Sequence, residues 1–278
     1  MDSREASPHC EGRVLTARSE QMNAPFHHRS QAGELLARSL SHLAGREDVT
    51  VLALPPGGVP VAFEVARALG APLDLALVQP ILHSLGPPRR DVTLGLLGYP
   101  TTLQLQEATL NALDLSDEAL TRDLARTRRR LHERVNALRP SAPMPSLAGR
   151  TVVLVDDGTA AGVVLRRAAV LLRRTGVRAL VAAVPVGSDE GLRLLDRDFD
   201  EVVCCVRLEP FVAVPDGYAC YPDVTDEEVR ALLARAWSGH TLHGHALPPP
   251  GATESPGSSS ERHRYQLATV RQGRQRSP

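Results

Sequence analysis

Aromatic side chains are scarce: four Phe, four Tyr and one Trp make up 3% of the 278 residues. A core must therefore be assembled mainly from Leu, Val and Ala, a composition suited to parallel strands buried on both faces. An excess of one charge is also lacking, since 32 basic side chains meet 32 acidic ones. That balance excludes a global electrostatic pull toward nucleic acid or an anionic membrane. No apolar run approaches the ~18 residues a bilayer span requires. The opening MDSREASPHCEGR has none of the apolar core of a signal peptide. Cysteines number four, two of them adjacent at Cys204 and Cys205, and no pair has CxxC spacing. A disulfide framework is disfavoured, and a cytoplasmic protein with reduced thiols is the expectation. P-loop, HExxH and GxSxG patterns are missing as well.

What the chain does have is strand and helix in alternation. Residues 1–24 carry little apolar periodicity, and residues 238–278 are dense in Pro, Gly and Ser. Both ends lack the apolar surface that offsets the entropy of ordering, so they are expected to be disordered tails. Residues 25–237 are left as the folded domain. Leu36, Leu40 and Leu43 mark a first helix with Ser30 as its N-cap. VTVLAL reads as a buried strand and PPGG as a turn. VPVAFEVARALG follows as a helix with Pro60 in its first turn and Gly70 as its stop. LDLALV, residues 73–78, reads as one strand, and TLGLLGYPTTLQL as a strand pair around Gly98 to Pro100.

A charged helix spans Ser116 to about Leu138, and its Arg126, Arg128, Arg129 and Arg130 read as a solvated face rather than a nucleic-acid patch. Strands recur at TVVLV, ALVAAV and EVVCCV, the first two separated by the helix VVLRRAAVLLRRTG. This order predicts an α/β fold, a doubly wound, mostly parallel sheet flanked by helices.

In such sheets ligands bind beyond the carboxyl ends of the strands. VVLVDDGTAAGVV, residues 152–164, places Asp156 and Asp157 there, directly after four apolar residues. GTAAG is small enough for the backbone to approach a ligand, and it leads into a helix N-terminus that attracts phosphate. Two carboxylates beside an anion hole suit a sugar phosphate: the acids accept hydroxyl protons and the loop holds the phosphate. The same carboxylates suit Mg²⁺, which prefers oxygen ligands.

With these residues in place, the sequence resembles the type I phosphoribosyltransferases, whose signature is an apolar strand, two acidic residues, three loop residues and Thr-Gly-x-Thr opening a helix. It is most similar to bacterial phosphoribosyltransferase-like proteins with LALPRGGVPVA early and ILVDDGIATGAT later. LALPPGGVPVAFEVARALGAPLD, GRTVVLVDDGTAAGVV, AVPVG, EVVCCV and FVAVPDGYACYPDVTDEEV occur here in the same order, over about residues 25–237. The resemblance implies a phosphoribosyltransferase-like fold and a glycosyltransferase of nucleotide metabolism using phosphoribosyl pyrophosphate. It implies Mg²⁺ carried with that ligand, near Asp156 and Asp157, and a homodimer, common among relatives. By it, Asp156 and Asp157 hold the ribose hydroxyls. Gly158, Thr159, Ala160, Ala161, Gly162, Val163 and Val164 cradle the 5′-phosphate, and Pro55, Pro56, Gly57 and Gly58 face the pyrophosphate.

The departures fall on the ligand side. The two threonines of the phosphate loop are Ala161 and Val164, and Ala160 stands where some relatives carry a catalytic base. Losing two hydrogen bonds to a charged group costs about 3–6 kcal/mol if additive, roughly a hundredfold to ten-thousandfold in affinity. The arginine of PRGG is Pro56, which removes a cation and a backbone donor together while still suiting a cis peptide. Val-Arg-Lys after the second strand is Val78-Gln79-Pro80; Arg89 and Arg90 are the nearby cations. No catalytic residue is assigned. Two readings stand: transfer of ribose 5-phosphate to an unidentified base or small acceptor, or a regulatory protein that binds a sugar phosphate or nucleotide without turnover.

Other features read as structural. His27 and His28 are surface or capping residues at the first helix, and Cys204 and Cys205 are buried inert thiols in a strand. Tyr218 and Tyr221 pack the last segment toward the site, base stacking by Tyr218 being the rival reading. His240, His243 and His245 lie in the tail without a fourth metal ligand.

Overall fold

The computed structural model describes residues 24–86, 90–99, 102–139 and 146–241. The expectations for the two tails, for Arg89 and for the side chains of the His240, His243 and His245 cluster lie outside those residues.

Five strands form an all-parallel sheet in the order β2-β1-β6-β7-β8. They are β1 (Val49–Ala53), β2 (Leu73–Leu75), β6 (Thr151–Val155), β7 (Ala179–Gly187) and β8 (Glu201–Arg207). β1 and β6 are buried along their whole length because both faces are covered. Side chains alternate between the faces. Val51, Val153 and Val181 join α1 (Arg29–Ser39), α2 (Gly58–Leu69) and α7 (Asp226–Thr241) in one core. Leu52, Leu154 and Ala182 join α5 (Val163–Arg173) and α6 (Asp189–Leu195) in the other. The doubly wound sheet is thus as read from the strand–helix order.

Three antiparallel strands, β3 (Val78–Ser84), β4 (Asp91–Gly98) and β5 (Thr102–Leu105), make a second sheet in the order β3-β4-β5. After it come α3 (Glu107–Ala112) and the long α4 (Asp117–Leu138), which lies along β3. Leu120, Leu131, Val135 and Leu138 are the buried stripe of α4; of the cluster read as a solvated face, Arg126, Arg129 and Arg130 are exposed and Arg128 is half-buried. At the end of α4, Arg139 Nη2 donates to Asp74 Oδ2 at 2.6 Å, an almost fully buried ion pair that ties this helix to β2.

Local signals correct three readings. LDLALV is not one strand: the chain leaves the parallel sheet after Leu75 and starts β3 at Val78. Its apolar run is continuous across that switch, so periodicity carries no trace of it. The first helix is capped by His28, whose Nδ1 accepts from the Gln31 backbone N–H at 3.1 Å, and not by Ser30, which is already inside the helix. α7 continues to Thr241, past the expected end of the folded part. Gly70 stops α2 as expected, in the left-handed region at φ 66°. No helix among the described residues is long and apolar enough to cross a membrane. Cys204 and Cys205 are free and half-buried, with both thiol pKa values raised by burial; that of Cys204 is pushed up to about 11.

Candidate functional site

β6 delivers Asp156 and Asp157 to the carboxyl edge of the sheet, where β1 ends beside it in the turn Pro55-Pro56-Gly57-Gly58. The Pro55–Pro56 peptide is cis, as the second proline suggests. Turn and acids are in direct contact. A Cβ on Gly57 would fall 2.1 Å from Asp157 Oδ2, and one on Gly58 would fall 2.8 Å from the Val155 carbonyl oxygen. The two glycines are therefore required by the acidic pair lying against them.

The two acids are not equivalent. Asp157 is buried, and its Oδ2 accepts from Arg29 Nε at 2.8 Å and from the Tyr221 hydroxyl at 2.8 Å. Arg29 also donates through Nη1 to the Pro222 carbonyl at 2.7 Å, and its guanidinium lies 3.6 Å over the Tyr221 ring. Tyr218 is fully buried against Phe26 and donates its hydroxyl to the Asp157 carbonyl at 2.5 Å, so it packs rather than stacking on a base. Burial, then the Asp157 charge, raises both tyrosine pKa values, so both hydroxyls stay protonated and act as donors. α1 and the segment before α7 thus meet on one carboxylate.

Asp156 is half-buried, and its Oδ1 accepts from the Asp157 backbone N–H at 3.0 Å. Burial first, and the Asp157 charge second, push its carboxyl well above the ordinary carboxylate range. The folded chain then holds this proton more tightly than the unfolded chain. Its contribution to stability is fully present below the unfolded pKa and lost as pH rises through the folded pKa. Asp156→Asn should therefore gain stability over wild type as pH is raised from about 4 to about 8, read from urea midpoints of both proteins at each pH. Equal spacing of the two midpoints throughout would contradict the assignment.

The acids and the turn share the wall of a cavity of about 580 Å³, a size in the range of small-molecule sites. Pro55, Pro56, Gly57, Asp156 and Asp157 line it. Gly58 stands behind them as the first residue of α2. The loop after the acids contributes less than expected, since of Gly158 to Val164 only Val164 reaches the lining. Gly158, Thr159 and Gly162 are buried, while Ala160, Ala161, Val163 and Val164 are exposed. Thr159 turns inward, and its Oγ1 accepts from the Gly162 N–H at 2.9 Å. Gly162 then starts α5 in the left-handed region at φ 67°.

Among the lining residues that sequence does not assign to the site are Arg29, Arg134, Tyr221 and Asp223. Arg134 reaches it from α4, held by both oxygens of Asp226 at 2.7 and 2.6 Å. Its signal is its position on the helix, two turns after Arg126, which is visible only once α4 is known to border the cavity. Val78 and Gln79 line the cavity, Gln79 standing at the Arg position of the Val-Arg-Lys match, and the exposed Arg90 is not among the lining residues. The described residues hold no group of three or more His, Cys, Asp and Glu side chains placed for a metal.

No protein-family model matches the chain. Among curated proteins, two Mycobacterium tuberculosis sequences, from strains CDC 1551 and H37Rv, bear the name "putative phosphoribosyl transferase" and are each 36% identical over 212 residues, 76% of this chain. The aligned part is 47% of each relative, so the chain spans about half the length of the curated proteins it matches. Among solved structures, the crystal structure of TT1426 from Thermus thermophilus is 39% identical, covering 76% of this chain and 98% of the other with a TM-score of 0.65. With the parallel sheet, the acidic pair at its edge and the facing turn all in place, the chain belongs to the phosphoribosyltransferase-like family.

Proposed function

We propose that the chain binds phosphoribosyl pyrophosphate in the cavity of about 580 Å³ and transfers ribose 5-phosphate to a base or other small acceptor, with a loosened hold on the 5′-phosphate. The observation that carries this reading is the contact between the acidic pair and the Pro55–Gly58 turn on one cavity wall. In the reaction the bond from ribose C1 to the pyrophosphate oxygen breaks, a bond from C1 to the acceptor forms, and pyrophosphate leaves. Asp156 accepts from the ribose hydroxyls, and the glycine turn lets the pyrophosphate approach the backbone. Asp157, fixed by Arg29 and Tyr221, acts chiefly by positioning Asp156 and the turn.

A single half-buried carboxylate fits a magnesium ion that arrives on the ligand and keeps most of its waters, rather than one caged by protein. Asp156 would hold it, through oxygen, and the ion would neutralise charge on the leaving pyrophosphate. The chain's own cations for that task are Arg29 and Arg134, both on the cavity wall.

Two observations favour the second reading, binding without turnover. Val164 presents an apolar face where the family has a hydroxyl, and Asp157 Oδ2 is already occupied by protein donors. Ala161→Thr/Val164→Thr separates the readings, because both positions are exposed and tolerate the change. Pyrophosphate release from phosphoribosyl pyrophosphate, measured over a panel of bases, should rise about tenfold or more if a weakened transferase is being repaired. Release that stays at background in a folded double variant overturns the transferase reading.

A further inference from the structure

We propose that the seam between β3 and α4 holds a second, separate site that takes a small phosphate monoester. The two elements run side by side, and the large cavity opens at one end of their contact, lined by Gln79 and Arg134. Farther along the same seam is a cavity of about 290 Å³, floored by Pro80, Leu82 and Ser84 of β3 and walled by Arg126, Thr127 and Arg130 of α4. Arg126, Arg130 and Arg134 recur every four residues, so they form one stripe on the helix, about 12 Å long. The arginine cluster that sequence reading leaves as a solvated face is therefore divided: two of its members border a cavity of their own.

The chemistry of that cavity is specific. Arg130 makes no hydrogen bond or ion pair with any other described residue and stands as a spare cation at the wall. Arg126 is oriented by Asp123, whose other carboxylate oxygen accepts from His83 Nδ1 at 2.7 Å. Thr127 is buried and spends its hydroxyl hydrogen on the Asp123 carbonyl at 2.9 Å, leaving its oxygen as an acceptor toward the cavity. Two guanidinium groups one helical turn apart match the oxygens of a phosphate, which arginine binds with directed, charge-assisted hydrogen bonds. Asp91, also in the lining, would repel a bare anion but accepts from a hydroxyl. An anion bearing a hydroxyl, such as a sugar monophosphate, uses both.

The test uses the full chain with ¹⁵N-labelled arginine side chains and inorganic phosphate as the probe, with chloride at matched ionic strength as the control. The Arg126 and Arg130 Nε signals should shift together and saturate with phosphate only. Arg130→Gln should weaken this binding about tenfold or more, the loss of one charge-assisted contact. Arg134→Gln and Asp156→Asn, which alter the other cavity, should leave it within about twofold. All these positions except Asp156 are surface changes on a helix, and retained thermal midpoints would confirm folding. Shifts that follow ionic strength alone, or an Arg130→Gln protein that binds like wild type, would overturn the site. Either result leaves the phosphoribosyl pyrophosphate reading untouched, because that reading rests on Asp156 and the glycine turn.

Discussion

Replacing Arg29 by Met should lower the unfolding free energy by about 3–5 kcal/mol, the cost of leaving a buried carboxylate without its partner. The side chains of Arg29 and Asp157 are each only 8% exposed, so water cannot take over the lost contact. Tyr221 would remain as the one side-chain donor on Asp157 Oδ2. The second variant, Arg29→Met/Asp157→Asn, removes both charges and should recover at least about half of the loss, since an uncharged pair of similar volume avoids the desolvation penalty. Urea denaturation of wild type, single and double variants measures this directly. A single variant within about 0.5 kcal/mol of wild type would show that the pair behaves as an exposed one.

The second large effect is expected at Gly57. Its backbone, φ −63° and ψ −36°, is open to any L residue, so the cost of Gly57→Ala comes from collision alone. The new methyl group would sit 2.1 Å from Asp157 Oδ2 and 2.7 Å from its Cγ. The carboxylate cannot step aside without breaking its bonds to Arg29 and Tyr221. Overpacking of this kind costs about 1–3 kcal/mol, and here the displaced group carries a charge. Thermal midpoints should fall, and affinity for phosphoribosyl pyrophosphate should fall with them. In an Arg29→Met background the carboxylate is freer, so the same alanine should cost less there, a coupling that a double-mutant cycle reads. Strict additivity would mean that Gly57 and the ion pair do not share one strained contact.

These two expectations show where the sequence is transparent and where it is opaque. Strand, acidic pair, small loop and helix follow one another within a dozen residues, so the site's scaffold is legible from local pattern. The contacts that divide the labour between the two acids are not local. Arg29 lies 128 positions from Asp157, and Tyr221 lies 64 positions away. Neither stretch carries a period or spacing that announces a partner. The antiparallel sheet is half visible, through its β4–β5 turn, but the start of β3 at Val78 is hidden at the end of an apolar run that looks like a continuation of β2. The arginines of α4 show the same limit. The charge pattern suggests a solvated face, and only the packing of α4 on β3 divides Arg126, Arg130 and Arg134 between two cavities.

Only one of the two acids can be changed without disturbing the other's partners. Changing both acids together would also release Arg29 and Tyr221, confusing a lost ligand contact with a loosened fold. Asp156→Asn alone keeps the Arg29–Asp157 pair and preserves an oxygen to accept the Asp157 N–H. Calorimetric titration of phosphoribosyl pyrophosphate with Mg²⁺, on wild type and on Asp156→Asn, is therefore the most direct test. The account predicts saturable binding to wild type, weakened about tenfold to a hundredfold or more in the variant, the worth of a hydrogen bond to a charged group. Folded wild type that does not bind, or a variant that binds equally well, would contradict it.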